Sequence, residues 1–418
     1  MPRGRVAPWV VAALVLLASG CSTGRGDPPA ARAGNEVTTT TAARVGEHAA
    51  EATTAQGLAP RQPVRSPRGD AAARVVGYYA GWERAALAPA AIPTALVTHV
   101  NYAFATVTAD STCRLADPDE RATIAELQSW KRRAGARTLL AIGGWEQSRH
   151  FSAAAATPEG RAALAASCVS LARELGFDGI DVDWEYPSTG KWGGRLADPA
   201  NYVALLAVMR ASMRAGELLT VATPASPGVL ETFGLSAMEP YVDWFNVMAY
   251  DQAGPWDDRT GHNAPLVTAI GPFGAQAAVM SYELAGVAPA KLVLGVPFYG
   301  HVFANVDGIE GPSAGLGQPF GGTPASAPSG ALTYRAIAPL VAQRAWQRHW
   351  DEVGLVPWLV NARDRQLISY DDPASMRAKA AFASEAGLGG VMVWELTNDD
   401  RSFTLLRSLN EALGRAAG

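Results

Sequence analysis

From residue 74 onward, short runs of β-branched, aliphatic and aromatic residues alternate with longer Ala/Leu/Arg-rich stretches. The apolar runs fall at 75–79, 97–104, 138–142, 179–184, 219–223, 242–248, 292–296 and 390–394. Nearly continuous apolar runs of this length are what parallel strands buried on both faces require. Helical stretches intervene, as at 159–175, 199–215, 274–285 and 374–386. Eight β/α units in about 350 residues predict an α/β fold of the (β/α)8 TIM-barrel type, with a doubly wound sheet as the competing architecture.

The rhythm breaks once. After Phe298-Tyr299-Gly300, roughly seventy residues precede the helix that should lead to the last strand, far more than an ordinary connection. The stretch 301–370 carries Gly/Pro-rich loops over 311–330, a helical piece near 334–346 and strand-like pieces near 356–360 and 366–370. It predicts a small α+β insertion between strand 7 and helix 7, on the catalytic rim. A floppy loop would not carry Trp346, Trp350 and Trp358.

The first seventy residues follow neither period. Arg3 and Arg5 precede the apolar run 10–18, which ends in Ser19-Gly20-Cys21. A basic start, a short apolar run and small residues read as a secretory signal peptide over 1–20, too short for a permanent span. Leu17-Ala18-Ser19-Gly20-Cys21 resembles a bacterial lipobox, so Cys21 is the expected lipidation site. Residues 21–70 are Ala/Thr/Pro/Gly-rich, with Val37, Val45, Leu58 and Val64 as the sizeable apolar side chains and no aromatic. Such a segment cannot bury a core and reads as a disordered tether. The catalytic barrel is then expected over 71–418. The expected location is secreted, anchored at the cell surface through the lipid on Cys21.

Composition narrows the function. At 48% hydrophobic and 18% charged, the chain is globular. Arg3 and Arg5 leave with the leader and the tether nets +1, so the formal −4 of the whole chain leaves −7 for residues 71–418. No basic field invites nucleic acid, and a monomer with no membrane contact beyond its lipid is expected. Three cysteines, Cys21, Cys113 and Cys168, show no zinc spacing. No metal and no cofactor is expected. Cys113 and Cys168 could pair outside the cytoplasm, but Cys168 on a helix serves equally well as a small buried apolar residue. The reading leans towards no disulfide.

The candidate chemistry lies in the fourth strand. Alternate residues of a strand share a face, so Asp181, Asp183 and Glu185 point together, into the barrel, about 6.6 Å apart along the strand. The flanking Ile180, Val182, Trp184 and Tyr186 suit the barrel–helix side. Three acids in a confined space cannot all ionise freely, so at least one pKa should rise. Glu185, nearest the C-terminal mouth, can reach a substrate and is placed to protonate a glycosidic oxygen. A Mg²⁺ site is the rival chemistry, but no phosphate-cradling glycines accompany the acids.

Asp178-Gly-Ile-Asp181-Val-Asp183-Trp-Glu185-Tyr-Pro187 resembles the D-x-x-D-x-D-x-E signature of the glycoside hydrolase family 18 chitinases. The resemblance extends over 74–414. It includes Gly77-Tyr78-Tyr79, Asn101-Tyr102-Ala103-Phe104, Ala141-Ile142-Gly143-Gly144-Trp145, Asn246-Val-Met248-Ala-Tyr250-Asp251, Gly295-Val-Pro-Phe-Tyr299-Gly300 and Gly390-Val-Met-Val-Trp394. The insertion resembles that of the family's deep-cleft bacterial branch.

The resemblance implies substrate-assisted, retaining hydrolysis of β-1,4 linkages between N-acetylglucosamine units, through an oxazolinium ion and not the usual two-carboxylate scheme. It implies Glu185 as general acid and then base, Asp183 as the group that orients the acetamide, and Asp181 as the partner sharing Asp183's proton. Tyr250 would donate to the acetamide oxygen. Tyr78, Phe104, Gly144, Trp145, Met248, Asp251, Trp256, Tyr299 and Trp394 are the implied substrate-binding residues. Trp394 would floor the −1 subsite, and Trp145 and Trp256 would stack on the leaving side. The implied partner is chitin or chito-oligosaccharide. Two departures stand out: Ala141 replaces a usual Ser whose hydroxyl helps hold the innermost Asp, and His301 replaces a frequent Arg. Trp130, Trp184 and Trp244 read as packing, and Trp82, Trp192, Trp346, Trp350 and Trp358 stay undecided. The alternatives are a same-family hydrolase of peptidoglycan or N-glycans, and a chitin-binding lectin without catalysis.

Overall fold

The computed structural model describes residues 73–415, except 190, 191, 193, 231, 232, 269, 270 and 272. The leader, Cys21 and nearly all of the tether lie outside the described residues. Fourteen strands occur among those described: β1 (Arg74–Ala80), β2 (His99–Val107), β3 (Cys113–Leu115), β4 (Arg137–Gly143), β5 (Gly179–Asp183), β6 (Leu218–Pro224) and β7 (Trp244–Met248). They continue as β8 (Leu292–Pro297), β9 (Tyr299–Phe303), β10 (Ala331–Thr333), β11 (Gln347–Asp351), β12 (Val356–Asn361), β13 (Gln366–Ser369) and β14 (Gly390–Trp394).

Eight of these close a barrel. Strands β1, β2, β4, β5, β6, β7, β8 and β14 pair in parallel in that order, and β1 pairs with both β2 and β14. The fold is therefore the (β/α)8 barrel that the eight apolar runs predict. Each strand divides its side chains between two cores. Val75, Tyr79, Leu140, Ile142, Ile180, Val182, Val247 and Val393 face outward and pack against the helices. Val76, Tyr78, Ala103, Ala141, Trp244, Val293 and Met392 fill the interior. The helices are bounded by local signals. Thr157 caps Pro158–Glu174 by accepting from the Gly160 N–H, and Asp372 and Ser375 form a capping box that starts Pro373–Glu385.

A second sheet of five antiparallel strands, in the order β10-β9-β13-β12-β11, is built between Tyr299 and Ser369. Phe303, Val306, Ile309, Leu316, Trp358 and Leu367 give it a core of its own. The helix near 334–346 is shorter than the sequence reading: Tyr334–Ile337 is helical, a 3-10 turn runs over Ala338–Ala342, and β11 follows. The hairpin partner decides this, because Gln347 to Asp351 pair residue by residue with Val360 to Val356. Where the sheet returns to the barrel, the wholly buried ion pair Lys379–Asp371, 2.5 Å, ties its exit to the next helix.

The expectation of unpaired cysteines is corrected. Cys113 and Cys168 form a disulfide with Cα atoms 4.9 Å apart, inside the range a disulfide can span. The loop after β2 turns back as β3, antiparallel to β2. The Cys113 N–H then bonds Ser167 Oγ at 3.0 Å, which sets β3 against the helix that carries Cys168.

Candidate active site

The acids of β5 lie as the two-residue period dictates. Asp181 is wholly buried and Asp183 is 3% exposed, both inside the barrel, while Glu185 beyond them is partly exposed. Trp184 points the other way, stacks on Phe151 at 5.3 Å and meets the tilted ring of Tyr202 at 5.1 Å, so it is core.

Asp181 is caged by donors. Its Oδ1 accepts from the Thr220 hydroxyl at 2.5 Å and the Asn246 amide at 2.9 Å, and its Oδ2 accepts from the Tyr78 hydroxyl at 2.5 Å. Thr220 lies directly across the β5–β6 ladder from Asp181. Asn246 is held in turn by the indole N–H of Trp244, which donates to Asn246 Oδ1 at 3.0 Å. An indole can only donate, so this contact fixes which end of the amide faces Asp181. Thr220 and Asn246 thus supply donors that the missing hydroxyl at Ala141 cannot. Burial raises the Asp181 pKa, and the bonds from Thr220, Tyr78 and Asn246 pull it back down.

Asp183 has no such cage. Its Oδ1 is buried without a hydrogen-bond partner among the described residues. Burial, then the charges of Glu185 and Asp181, push its pKa well above the usual carboxylate range. Hydrogen bonding thus favours the charged form at Asp181, while burial and its acidic neighbours favour the protonated form at Asp183. Tyr250 is buried beside these acids. Burial, then the charges of Asp183, Asp251 and Glu185, keep its hydroxyl protonated and hence a donor.

The backbone around Glu185 is set by residues outside the acidic motif. Ser148 Oγ accepts the Glu185 N–H at 2.8 Å and donates to the Gly144 carbonyl at 2.9 Å. The Gly144 N–H reaches the Asp183 carbonyl at 2.8 Å. A side chain at Gly143 would put its Cβ 2.1 Å from that same carbonyl, and Gly143 has φ +107°, so only glycine permits this approach.

Aromatic rings form the wall next to the ladder. Trp394 lies against Tyr78 at 5.3 Å and stacks on Phe104 at 5.8 Å, and Phe104 stacks on Trp82 at 6.1 Å. Trp82 is 49% exposed, so the row runs from the acids out to solvent. Phe104 joins the interior because the β2–β4 register slips between Tyr102 and Ala105, which places consecutive Ala103 and Phe104 inside.

On the other side, Asp251 accepts from the Tyr299 hydroxyl at 2.5 Å and faces His301 Nε2 at 2.8 Å. Trp256 sets its ring at 5.0 Å, edge-on to His301. Met248 borders the interior cluster with Tyr299 and Trp394. Trp145 is only 8% exposed, abuts Tyr186 and accepts the Trp192 indole N–H on its carbonyl, so it offers less open face than Trp82. The structure thus brings the acids, Tyr78, Phe104, Tyr250, Asp251, Tyr299 and Trp394 to one end of the barrel. Sequence reasoning missed Thr220, Ser148 and the role of Trp244. Two of these were legible: Thr220 sits mid-strand in an apolar run, and Trp244 alternates inward with Asn246 and Met248. Ser148 carried no periodic signal. Among the described residues no group of His, Cys, Asp and Glu is arranged to hold a metal.

Comparison with known proteins identifies the family. Residues 74–399 match the family described as "Glycosyl hydrolases family 18". The chain is 36% identical to Chitinase A1 of Niallia circulans over 302 residues, 66% of this chain and 42% of that protein. It is 32% identical to Chitotriosidase-1 of Mus musculus, over 82% of this chain and 78% of that one. Among solved structures, the Group IV chitinase of Ostrinia furnacalis in complex with allosamidin superposes with a TM-score of 0.76 at 32% identity, covering 82% of this chain and 99% of that one.

Proposed function

This chain belongs to glycosyl hydrolase family 18, and from that premise we propose that it is a chitinase hydrolysing β-1,4 linkages between N-acetylglucosamine units with retention of configuration. The observation that carries the reading is the interior ladder: Asp181 in its cage of three donors, Asp183 with a buried oxygen that has no partner among the described residues, and Glu185 at the mouth.

Glu185 protonates the leaving oxygen and later takes a proton from water. The substrate's own acetamide carbonyl attacks the anomeric carbon, giving an oxazolinium ion. Asp183 Oδ1, buried and unpartnered, is the acceptor for the acetamide N–H and stabilises the positive charge that develops. Asp181 exchanges a proton with Asp183 as that charge comes and goes. Tyr250 donates to the acetamide oxygen, and Met248, Asp251 and Tyr299 line the −1 wall. Trp394, with Tyr78 and Phe104 around it, floors that subsite. The row Trp394–Phe104–Trp82 offers ring faces to successive sugars, and Trp256, with Gly144 and Trp145, serves the leaving side.

The Cys21 pattern supports export and lipid anchoring of the barrel through the 21–70 tether. Mass measurement of the mature N-terminus tests the lipid. The substrate is tested by comparing release of products from a fluorogenic chitotrioside with digestion of purified cell wall. Turnover of the chitotrioside is expected. Digestion of cell wall alone would replace chitin by peptidoglycan, and tight binding without cleavage would make the protein a lectin.

A further inference from the structure

The backbone of Glu185 is anchored just where the barrel ladder ends. Strand β5 pairs with β4 as far as Asp183 opposite Gly143, and with β6 as far as Val182 opposite Val221. Glu185 stands beyond the last residue of both ladders, and its N–H takes a side-chain partner instead. A partly buried backbone donor needs one. β4 turns away at this point, through Gly143 and Gly144 at φ +107° and +81°. The chain then comes back as a 3-10 turn, Gln147–His150, which brings Ser148 to the Glu185 N–H.

Ser148 is 2% exposed, and its hydroxyl meets three backbone groups. It accepts the Glu185 N–H at 2.8 Å, and its one proton goes to the Gly144 carbonyl at 2.9 Å in preference to the Asp183 carbonyl at 3.3 Å. With the Gly144 N–H on the Asp183 carbonyl, the end of β4 and the acid close into one hydrogen-bonded ring. The turn itself is held firmly. Phe151, just beyond it and wholly buried, stacks on Trp184 at 5.3 Å, and Ser152 Oγ donates to Asp198 Oδ1 at 2.9 Å. The same segment bears on the leaving side. Trp145 follows Gly144, its carbonyl accepts the Trp192 indole N–H at 2.8 Å, and the Arg149 guanidinium lies 4.7 Å over the Trp192 ring. One short stretch, 144–152, therefore supports both the leaving-side rings and the backbone of the acid.

We propose that Ser148 is a positioning residue for the general acid: its hydroxyl fixes the Glu185 backbone against the leaving-side segment, and protonation of the leaving oxygen slows when that tie is cut. The proposal rests on the reading of Glu185 as the acid. Proton transfer needs the two heavy atoms within about 3.2 Å, and a misplacement of about 1 Å costs about a hundredfold in rate. That cost falls on leaving groups that need a proton and spares those that do not.

The leaving-group dependence of the damage is the test. The phenyl and 2,4-dinitrophenyl glycosides of chitobiose put similar rings on the leaving side, but dinitrophenolate departs as a stable anion and phenolate needs a proton. The quantity measured is kcat/KM, which reports loss of transition-state stabilisation from free enzyme and substrate. Both glycosides are read on one preparation of each variant, so unfolded protein lowers the two alike. Ser148→Ala is expected to lose about a hundredfold on the phenyl glycoside and to keep most of its activity on the dinitrophenyl one. Glu185→Gln is expected to split the two substrates in the same direction and more widely. Equal losses in Ser148→Ala, while Glu185→Gln splits them, overturn the proposal and leave Glu185 as the acid. Equal losses in Glu185→Gln as well remove the reading of the acid, and the proposal with it. Where Ser148→Ala yields no folded protein, Ser148→Cys, which keeps the bulk and weakens the acceptor, is judged by the same ratio.

Discussion

At the scale of single residues, the site divides its work by hydrogen-bond supply. Asp181 and Asp183 are two residues apart on one strand and equally buried, yet one is ringed by three donors and the other has an oxygen with none. That asymmetry, more than the acids themselves, decides which holds the proton. The paired-acid pattern was legible because strand periodicity is rigid. The cage was less so, since Thr220 and Asn246 arrive from two other strands and only the register brings them to Asp181. The Ser hydroxyl that the resemblance leads one to expect is absent at Ala141, and the donors to Asp181 come instead from Thr220 on the neighbouring strand, Asn246 on β7 and Tyr78 on β1, which no local motif announces. Removing the cage should shift the proton. The bonds from Thr220 and Asn246 lower the Asp181 pKa, so Thr220→Val with Asn246→Ala raises it and draws the proton from Asp183. The acidic limb of the kcat–pH profile should then move to higher pH, with kcat down about tenfold. An unmoved limb would show that Asp181 takes no part in the titration.

At the scale of elements, the apolar runs located every barrel strand to within a few residues, because a strand buried on both faces leaves an unbroken apolar signature. The inserted sheet was harder to read. Gln347 to Asp351 is polar and half-exposed, and its strand character comes from pairing with β12. The same limit hid the disulfide. Three residues of β3 make the hairpin that brings Cys113 to Cys168, and such short segments carry no period. The bridge closes a loop with a sequence separation of 55 residues, which enclose a helix and β4. Cys168→Ala with Cys113→Ala is therefore expected to lower unfolding stability by about 3 kcal/mol, measured by denaturant titration. No change in the midpoint would mean that β3 and the helix hold this loop unaided.

At the scale of the whole molecule, the fold keeps several carboxyls in its interior. Burial pushes Glu395 and Asp399 up to about 7, and Glu120 likewise. A carboxyl raised in the folded state holds its proton where the unfolded chain has released it. Stability from these groups is full below the unfolded pKa, near 4, and declines as pH rises through about 7. Glu217 works oppositely: its hydrogen bond to Arg173 holds it at about 2, so its contribution is lost as pH falls through that value. Melting temperature should thus peak in mild acid and fall by about 5 °C towards pH 8; a melting temperature that climbs to neutrality would contradict the buried, protonated state of these groups.

The single acid at the mouth makes the central claim. Glu185→Gln keeps the shape of the side chain and removes the proton that the leaving oxygen needs. The decisive measurement is kcat of Glu185→Gln on a fluorogenic chitotrioside, alongside chitotriose binding by tryptophan fluorescence. The expected result is a fall of about 10³-fold in kcat with affinity unchanged. Turnover within tenfold of wild type would contradict the assignment of Glu185 as the general acid.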